Sequence, residues 1–146
     1  MTTVGANGGK RGLGLGLVGL GGAALSMLPK MSKNPGFSIA AVADIDEGIL
    51  ASFKQDHPET SIYTRMQDLC QDASVDLVYI ATPNKLHSEH AMAAFAAGKH
   101  VLIEKPMTIE IAAALEMVNA ADKGGVLLGV NVKHSFEPRV RKAREM

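Results

Sequence analysis

The 146-residue sequence has no tryptophan, a single cysteine and only 4% aromatic residues. Single-stranded nucleic acid is usually gripped by stacking on such rings, so that class of partner is disfavoured. Lys plus Arg and Asp plus Glu each number 15, for a formal charge of zero. With the cations scattered, a phosphate backbone meets no basic face. Cys70 alone can form neither an internal disulfide nor a zinc site, and it reads as buried filler in a reducing, cytoplasmic compartment. No segment supplies the roughly 20 apolar residues of a membrane span. Lys10-Arg11 before the apolar residues 13–28 resembles a signal peptide, but Gly14, Gly16, Gly19, Gly21 and Gly22 interrupt any helix there. His57, His90, His100 and His134 have no metal-ligand spacing with carboxylates, so no metal is expected.

What is present is a 47% hydrophobic chain of single-domain length. Apolar runs alternate with helix-like stretches. Strands are expected at residues 15–18, 37–43, 61–63, 76–81, 100–103 and 126–132. Helices are expected at 22–31, with Pro29 bending or ending it, and at 46–55, 65–71 and 84–97. A further helix runs from a cap at Thr108 to about Asp122, stopped by Gly124-Gly125. Several strands are nearly continuous apolar runs, the signature of a sheet covered on both faces. The fold class is therefore α/β: a doubly wound parallel sheet of Rossmann type with strand order 3-2-1-4-5-6. Residues 1–12 read as a flexible tail, 13–132 as the domain, and 133–146 as the start of a connection.

Two glycine fingerprints overlap. Gly14-x-Gly16-x-x-Gly19 follows no strand, whereas Gly19-x-Gly21-x-x-Ala24 follows one and opens a helix, so the second register is chosen. Gly19 permits the tight turn, Gly21 admits a pyrophosphate, and Ala24 lets the helix pack closely. Free N–H groups of Gly22 and Ala23 would meet the phosphate charge at the helix start. Asp44, 20 residues past Ala24, closes the second strand, with Ile45 beside it. Its carboxylate would accept from ribose hydroxyls and repel a 2′-phosphate, which favours NAD over NADP. The competing reading is that Asp44 caps the helix after it.

Two later segments lie at carboxyl ends of strands, where doubly wound sheets bind ligands. They are Ala81-Thr82-Pro83-Asn84 with His87, and Gly98-Lys99-His100-Val101-Leu102-Ile103-Glu104-Lys105-Pro106. On these motifs the sequence closely resembles the Gfo/Idh/MocA oxidoreductases, the glucose–fructose oxidoreductase and inositol dehydrogenase family, from Leu15 to about Glu145. The resemblance implies that Lys105 reaches the substrate hydroxyl or carbonyl while hydride passes between substrate carbon and nicotinamide. A lysine starts near pKa ~10.4 and is a poor base until burial or a neighbouring cation lowers it. The resemblance also places His87 near the nicotinamide and substrate pocket, as a second catalytic candidate; a capping or half-buried histidine is the alternative. Ala81, Thr82, Pro83, Asn84, Glu104 and Lys105 join the expected cofactor contacts.

The family continues into a second α+β domain that supplies partner acid/base residues and most of the substrate pocket, and none of it is recognised here. The residues after Pro138 look like the first half of a helix cut off midway. Lys133-His134-Ser135-Phe136-Glu137-Pro138 resembles members acting on cyclic diols, such as dihydrodiols of aromatic acids. The expectation is an NAD-dependent oxidoreductase of a sugar, polyol or cyclic diol, represented by its cofactor-binding half and inactive alone, with a homo-oligomer implied for the longer protein. The alternatives are a non-catalytic NAD-binding module and a class I methyltransferase, which gives no reason for Glu104-Lys105-Pro106.

Overall fold

The computed structural model describes residues 12–132 and 142–145. The tail at 1–11, the segment 133–138 and most of the expected final helix lie outside the described residues. Strands and helices alternate as β1 (Leu13–Val18), α1 (Gly22–Ser32), β2 (Phe37–Ala43), α2 (Glu47–Asp56), β3 (Ser61–Tyr63), α3 (Met66–Gln71) and β4 (Leu77–Ile80). A 3₁₀ turn (Asn84–Leu86), α4 (His87–Ala96), β5 (His100–Glu104), α5 (Ile111–Gly124) and β6 (Leu128–Asn131) complete the series. The sheet order is β3-β2-β1-β4-β5-β6, and each pairing is parallel.

The continuous apolar strands bury both faces. On one face α1 and α2 bring Ala24, Met31, Leu50 and Phe53 onto Leu15, Leu17, Val42 and Tyr79. On the other, α3, α4 and α5 bring Leu69, Ala91, Ala94, Phe95 and Met117 onto Val18, Val78, Ile80 and Ile103. Cys70 belongs to this second core, where burial pushes its thiol up to about 11; it is an inert packing residue. The rejected glycine register also has its explanation here. Gly14 and Gly16 lie within β1, where a side chain would collide with the Ser74 carbonyl and with Leu69 and Val75.

Four boundaries differ from expectation. α1 runs through Pro29 to Ser32, losing only the hydrogen bond that proline cannot donate. The helix expected from Asn84 begins with a 3₁₀ turn and becomes α-helical at His87. Thr108 does not cap α5: the N-cap is Glu110, and Thr108 Oγ1 instead accepts from its backbone N–H at 3.2 Å. β6 is shorter at both ends: before it Val126 N–H bonds Ala121 O in the left-handed stop at Gly125, and after it Val132 N–H turns back to Val130 O.

Part of the glycine-lysine-histidine motif is structural. Gly98 terminates α4 at φ 71°. Lys99 Nζ donates to the carbonyls of Asp72 and Val75 at 3.0 and 2.7 Å, at the end of the sheet opposite the strands' carboxyl ends. His100 Nδ1 accepts from Leu127 N–H at 3.0 Å, joining the starts of β5 and β6. Replacing Lys99 by methionine should lower the unfolding free energy by about 1–3 kcal/mol, through the loss of two charge-assisted bonds to half-buried carbonyls. Urea denaturation reads this directly, and an unchanged midpoint would show that water satisfies those carbonyls equally well.

Candidate functional site

β1 and β4 are neighbours, yet the helices that follow them pack on opposite faces. The rim between their carboxyl ends therefore opens. Gly19 makes the turn out of β1 at φ 85°, with the Ala81 carbonyl and Thr82 methyl so close that a Cβ would sit 3.0 Å from each. Both the backbone conformation and the space demand glycine. Its N–H holds Ala43 O at 2.8 Å. α1 then starts at Gly21 with no side-chain cap and no acidic residue in its first turn. Its first intrahelical bond, Leu25 N–H to Gly21 O, leaves the preceding N–H groups for an external acceptor. A Cβ on Gly21 or Gly22 would meet nothing within 4 Å, so this rim has room for a bulky anion. Ala24 is 1% exposed and packs into the core, as its small size predicts.

Asp44 is tied into the loop. Its Oδ2 accepts from Leu20 N–H at 2.7 Å and its Oδ1 from Asp46 N–H at 2.9 Å. The cap of α2 is a different residue, Asp46, whose Oδ1 accepts from Gly48 and Ile49 N–H. The reading of Asp44 as a mere helix cap therefore falls. A cleft of about 300 Å³ opens beside it, lined by Gly19, Asp44, Ile45, Arg65, Thr82, Pro83 and His90 among others. Ile45 is 94% exposed there, an apolar surface suited to a flat ring.

A second cleft of about 330 Å³ is lined by Ala23, Ser26, Ala81, Thr82, Asn84, His87, Glu104, Lys105, Asn131 and Val132. Thr82 belongs to both clefts. Lys105 is exposed at the mouth of the second, and the Lys105–Pro106 peptide is cis. Glu104 is held from below: Tyr79 Oη donates to its Oε1 at 2.5 Å and Asn131 Nδ2 donates to the same oxygen at 2.6 Å. Burial, and then this bond to Glu104, raise the Tyr79 pKa, so the phenol stays a donor. His87 is fully buried, with Nδ1 2.8 Å from Pro106 O and Nε2 2.9 Å from Thr82 O. His90 Nδ1 meets Thr82 Oγ1 at 3.0 Å, and burial lowers its pKa.

The fourteen expected residues thus gather on one rim, divided between the two clefts, the loop and α1. Several contributors were not foreseen, and three are informative. Arg65, far from Asp44 in sequence, lines the same cleft. Asn131 pairs with Glu104 in register across β5 and β6, a position that the rule of ligand sites at strand ends could have found. Tyr79 is a polar tip in an otherwise aliphatic strand, which is a visible signal.

Residues 13–132 match the oxidoreductase family with an NAD-binding Rossmann fold, GFO_IDH_MocA. The chain is 37% identical over 132 residues to 1-carboxy-3-chloro-3,4-dihydroxycyclohexa-1,5-diene dehydrogenase of Comamonas testosteroni, covering 90% of this chain and 33% of that protein. It is 42% identical over 77 residues to the scyllo-inositol 2-dehydrogenase (NADP(+)) IolW of Bacillus subtilis strain 168, covering 53% of this chain and 22% of that one. The fold superposes with TM-score 0.86 on scyllo-inositol dehydrogenase from Lactobacillus casei with bound NAD(H) and scyllo-inositol. That match has 23% identity and covers 92% of this chain and 40% of that structure. The chain therefore spans about a third to two-fifths of the length of these broadly matching relatives. It belongs to the Gfo/Idh/MocA oxidoreductase family, whose NAD-binding Rossmann domain its residues 13–132 form.

Proposed function

We propose that this chain is the cofactor-binding half of an NAD-dependent oxidoreductase that transfers hydride between nicotinamide and a polyol, sugar or cyclic diol. The observation that carries the reading is the pair of clefts meeting at Thr82 on the rim that holds the glycine loop. A dinucleotide has the matching shape: two nucleosides joined by a pyrophosphate. The open backbone at Gly21 and Gly22 and the uncapped start of α1 suit the pyrophosphate. Ile45 and Asp44 suit the adenosine, and the cleft with Lys105 suits the nicotinamide.

Asp44 favours NAD, because its loop-anchored carboxylate would stand against a 2′-phosphate. Arg65 in the same cleft works in the other direction, and one relative is named for NADP(+). Asp44 is the more strongly fixed of the two. Bound nicotinamide would supply the hydride acceptor or donor. Lys105 Nζ would hold or take the proton of the reacting oxygen, with its strand end braced by Tyr79, Asn131 and Glu104. A carboxylated cyclic diol is the preferred substrate within the class, supported by the name of the 37%-identical dehydrogenase.

The reaction needs more than these residues. Lys105 is exposed, so the described chain gives it no dry environment. Ile111, Leu115 and Val118, at helical spacing on α5, are 83, 61 and 44% exposed, and Val132 beyond the edge strand is 45% exposed. We assign this apolar surface to contact with further protein that completes the pocket. Purified alone and assayed with NAD and a panel of polyols and cyclic diols, the chain should bind cofactor without steady turnover. Turnover at a rate typical of dehydrogenases would overturn the division of labour.

Two substitutions test the roles. Asp44→Ala should weaken NAD by about tenfold or more, the scale of a lost charge-assisted bond. Asp44→Asn, which keeps an oxygen for Leu20 N–H, should shift preference toward NADP. A wild type that binds NADP more tightly than NAD would refute the assignment. In a longer gene product carrying the substrate residues, Lys105→Met should lower turnover by about 10²-fold with NAD affinity retained. Unchanged turnover in a folded variant removes Lys105 from the chemistry.

A further inference from the structure

Glu104 is the one acidic group among the described residues that line the cleft with Lys105. Its place is fixed from inside the sheet. Tyr79 of β4 lies opposite Leu102 of β5, and its ring reaches two residues further along β5 to donate from Oη to Glu104 Oε1 at 2.5 Å. Asn131, opposite Glu104 in β6, donates from Nδ2 to the same oxygen at 2.6 Å. Glu104 Oε2 accepts from Lys105 N–H at 3.3 Å. All three partners present hydrogen, a set that suits an ionised carboxylate, which only accepts. Tyr79 is fully buried, so water does not compete for the anchoring bond.

The ligand read into this cleft changes charge when it reacts. The oxidised nicotinamide ring is a cation, and taking up hydride makes it neutral. The rest of the dinucleotide is the same in both forms. A fixed anion beside the ring therefore attracts one redox form and not the other. Lys105 is the neighbouring cation, but it is an exposed, flexible side chain whose charge solvent screens. Glu104 is half-buried and held by two strands. We propose that Glu104 is a specificity-determining residue for the redox state of the cofactor, favouring NAD⁺ over NADH, and that Tyr79 and Asn131 are the positioning residues that hold its carboxylate there. The inference rests on the dinucleotide reading of the clefts and deepens it. A preference of this sign loads the oxidised cofactor and releases the reduced one, which suits an enzyme that takes hydride from an alcohol carbon.

Binding to the 146-residue chain tests it, with NAD⁺, NADH and ADP-ribose, which lacks the nicotinamide, as the three ligands. Glu104→Gln keeps an oxygen for Tyr79 and Asn131 and removes only the charge. It should lower the ratio of NAD⁺ to NADH affinity by about 5-fold, the scale of one charge pair in a site open to water, and change ADP-ribose by less than about 2-fold. An unchanged ratio, or an equal loss of all three ligands, would overturn the selection. Tyr79→Phe keeps the charge but frees the carboxylate, and it should lower the same ratio by about 2-fold. An unchanged ratio there would remove Tyr79 as a positioning residue. The unmodified chain gives a second test that needs no variant to fold. At low salt it should bind NAD⁺ more tightly than NADH, and that advantage should shrink as salt rises, since the shared pyrophosphate cancels from the ratio. A preference for NADH, or a preference for NAD⁺ that salt leaves alone, would overturn the proposal. If none of the three ligands binds, the dinucleotide reading falls and the selection with it. If all three bind and the ratio ignores Glu104, the selection alone falls.

Discussion

Neighbouring parallel strands that send their helices to opposite faces cannot keep their carboxyl ends together, and the rest of this structure depends on that constraint. Val18 of β1 lies in register with Ile80 of β4. One residue later Gly19 turns away toward α1, so close to the next strand's end that a Cβ would sit 3.0 Å from the Ala81 carbonyl oxygen. The chain after Ala81 turns the other way, toward α4. The opening they leave is the crevice a doubly wound sheet offers to a ligand. Because the sheet is parallel throughout, β2, β5 and β6 end on the same rim. Asp44, Glu104, Lys105 and Asn131 reach the site through topology rather than proximity in sequence.

The rim is stiffened by hydrogen bonds of the chain to itself, and this makes it a prepared surface. Asp44 grips Leu20 N–H, and Gly19 N–H grips the end of β2. The loop is therefore shaped before any phosphate arrives, and less ordering remains to oppose binding. On the other side, Tyr79 and Asn131 converge on one oxygen of Glu104. Tyr79, Glu104 and Asn131 come from three adjacent strands and share one sheet face by alternation, the face on which Tyr79 joins the core under α1 and α2. A buried phenol without an acceptor would be costly there, and Glu104 satisfies it.

Much of this was legible in the sequence. Apolar run lengths gave the parallel sheet, and loop context separated the two glycine registers, because only one had a strand before it and a helix after it. Spacing gave Asp44. What escaped was set by tertiary contact. Context rejected Gly14 and Gly16 as a phosphate loop without saying why they are glycines; the Ser74 carbonyl and Leu69 standing against them supply the reason. Arg65 reads as a surface residue until β3 and α3 bring it beside Asp44. His87 was an even choice between pocket and packing, since helix periodicity places its ring inward but cannot say that both nitrogens end on carbonyls. The misplaced start of α5 has a similar cause: Thr108 has the right chemistry for a cap but spends its hydroxyl on a local turn to Glu110.

The segment from Gly98 to Pro106 explains why a short motif can be so specific. Its two ends serve different needs and are separated only by the length of β5. At the amino end, Gly98 stops α4, Lys99 ties down the loop before β4, and His100 holds the approach to β6. At the carboxyl end, Glu104 is braced by two strands and Pro106 O is held by His87. Between them Val101 and Ile103 are buried on one face and pinned in register with β4 and β6. A strand anchored at both ends cannot slip by a residue without inverting its faces and breaking both sets of bonds. Lys105 is thereby placed at the rim by the whole strand beneath it. Lys99 and His100, at the opposite end of β5, contribute to the position of Lys105 through the strand between them.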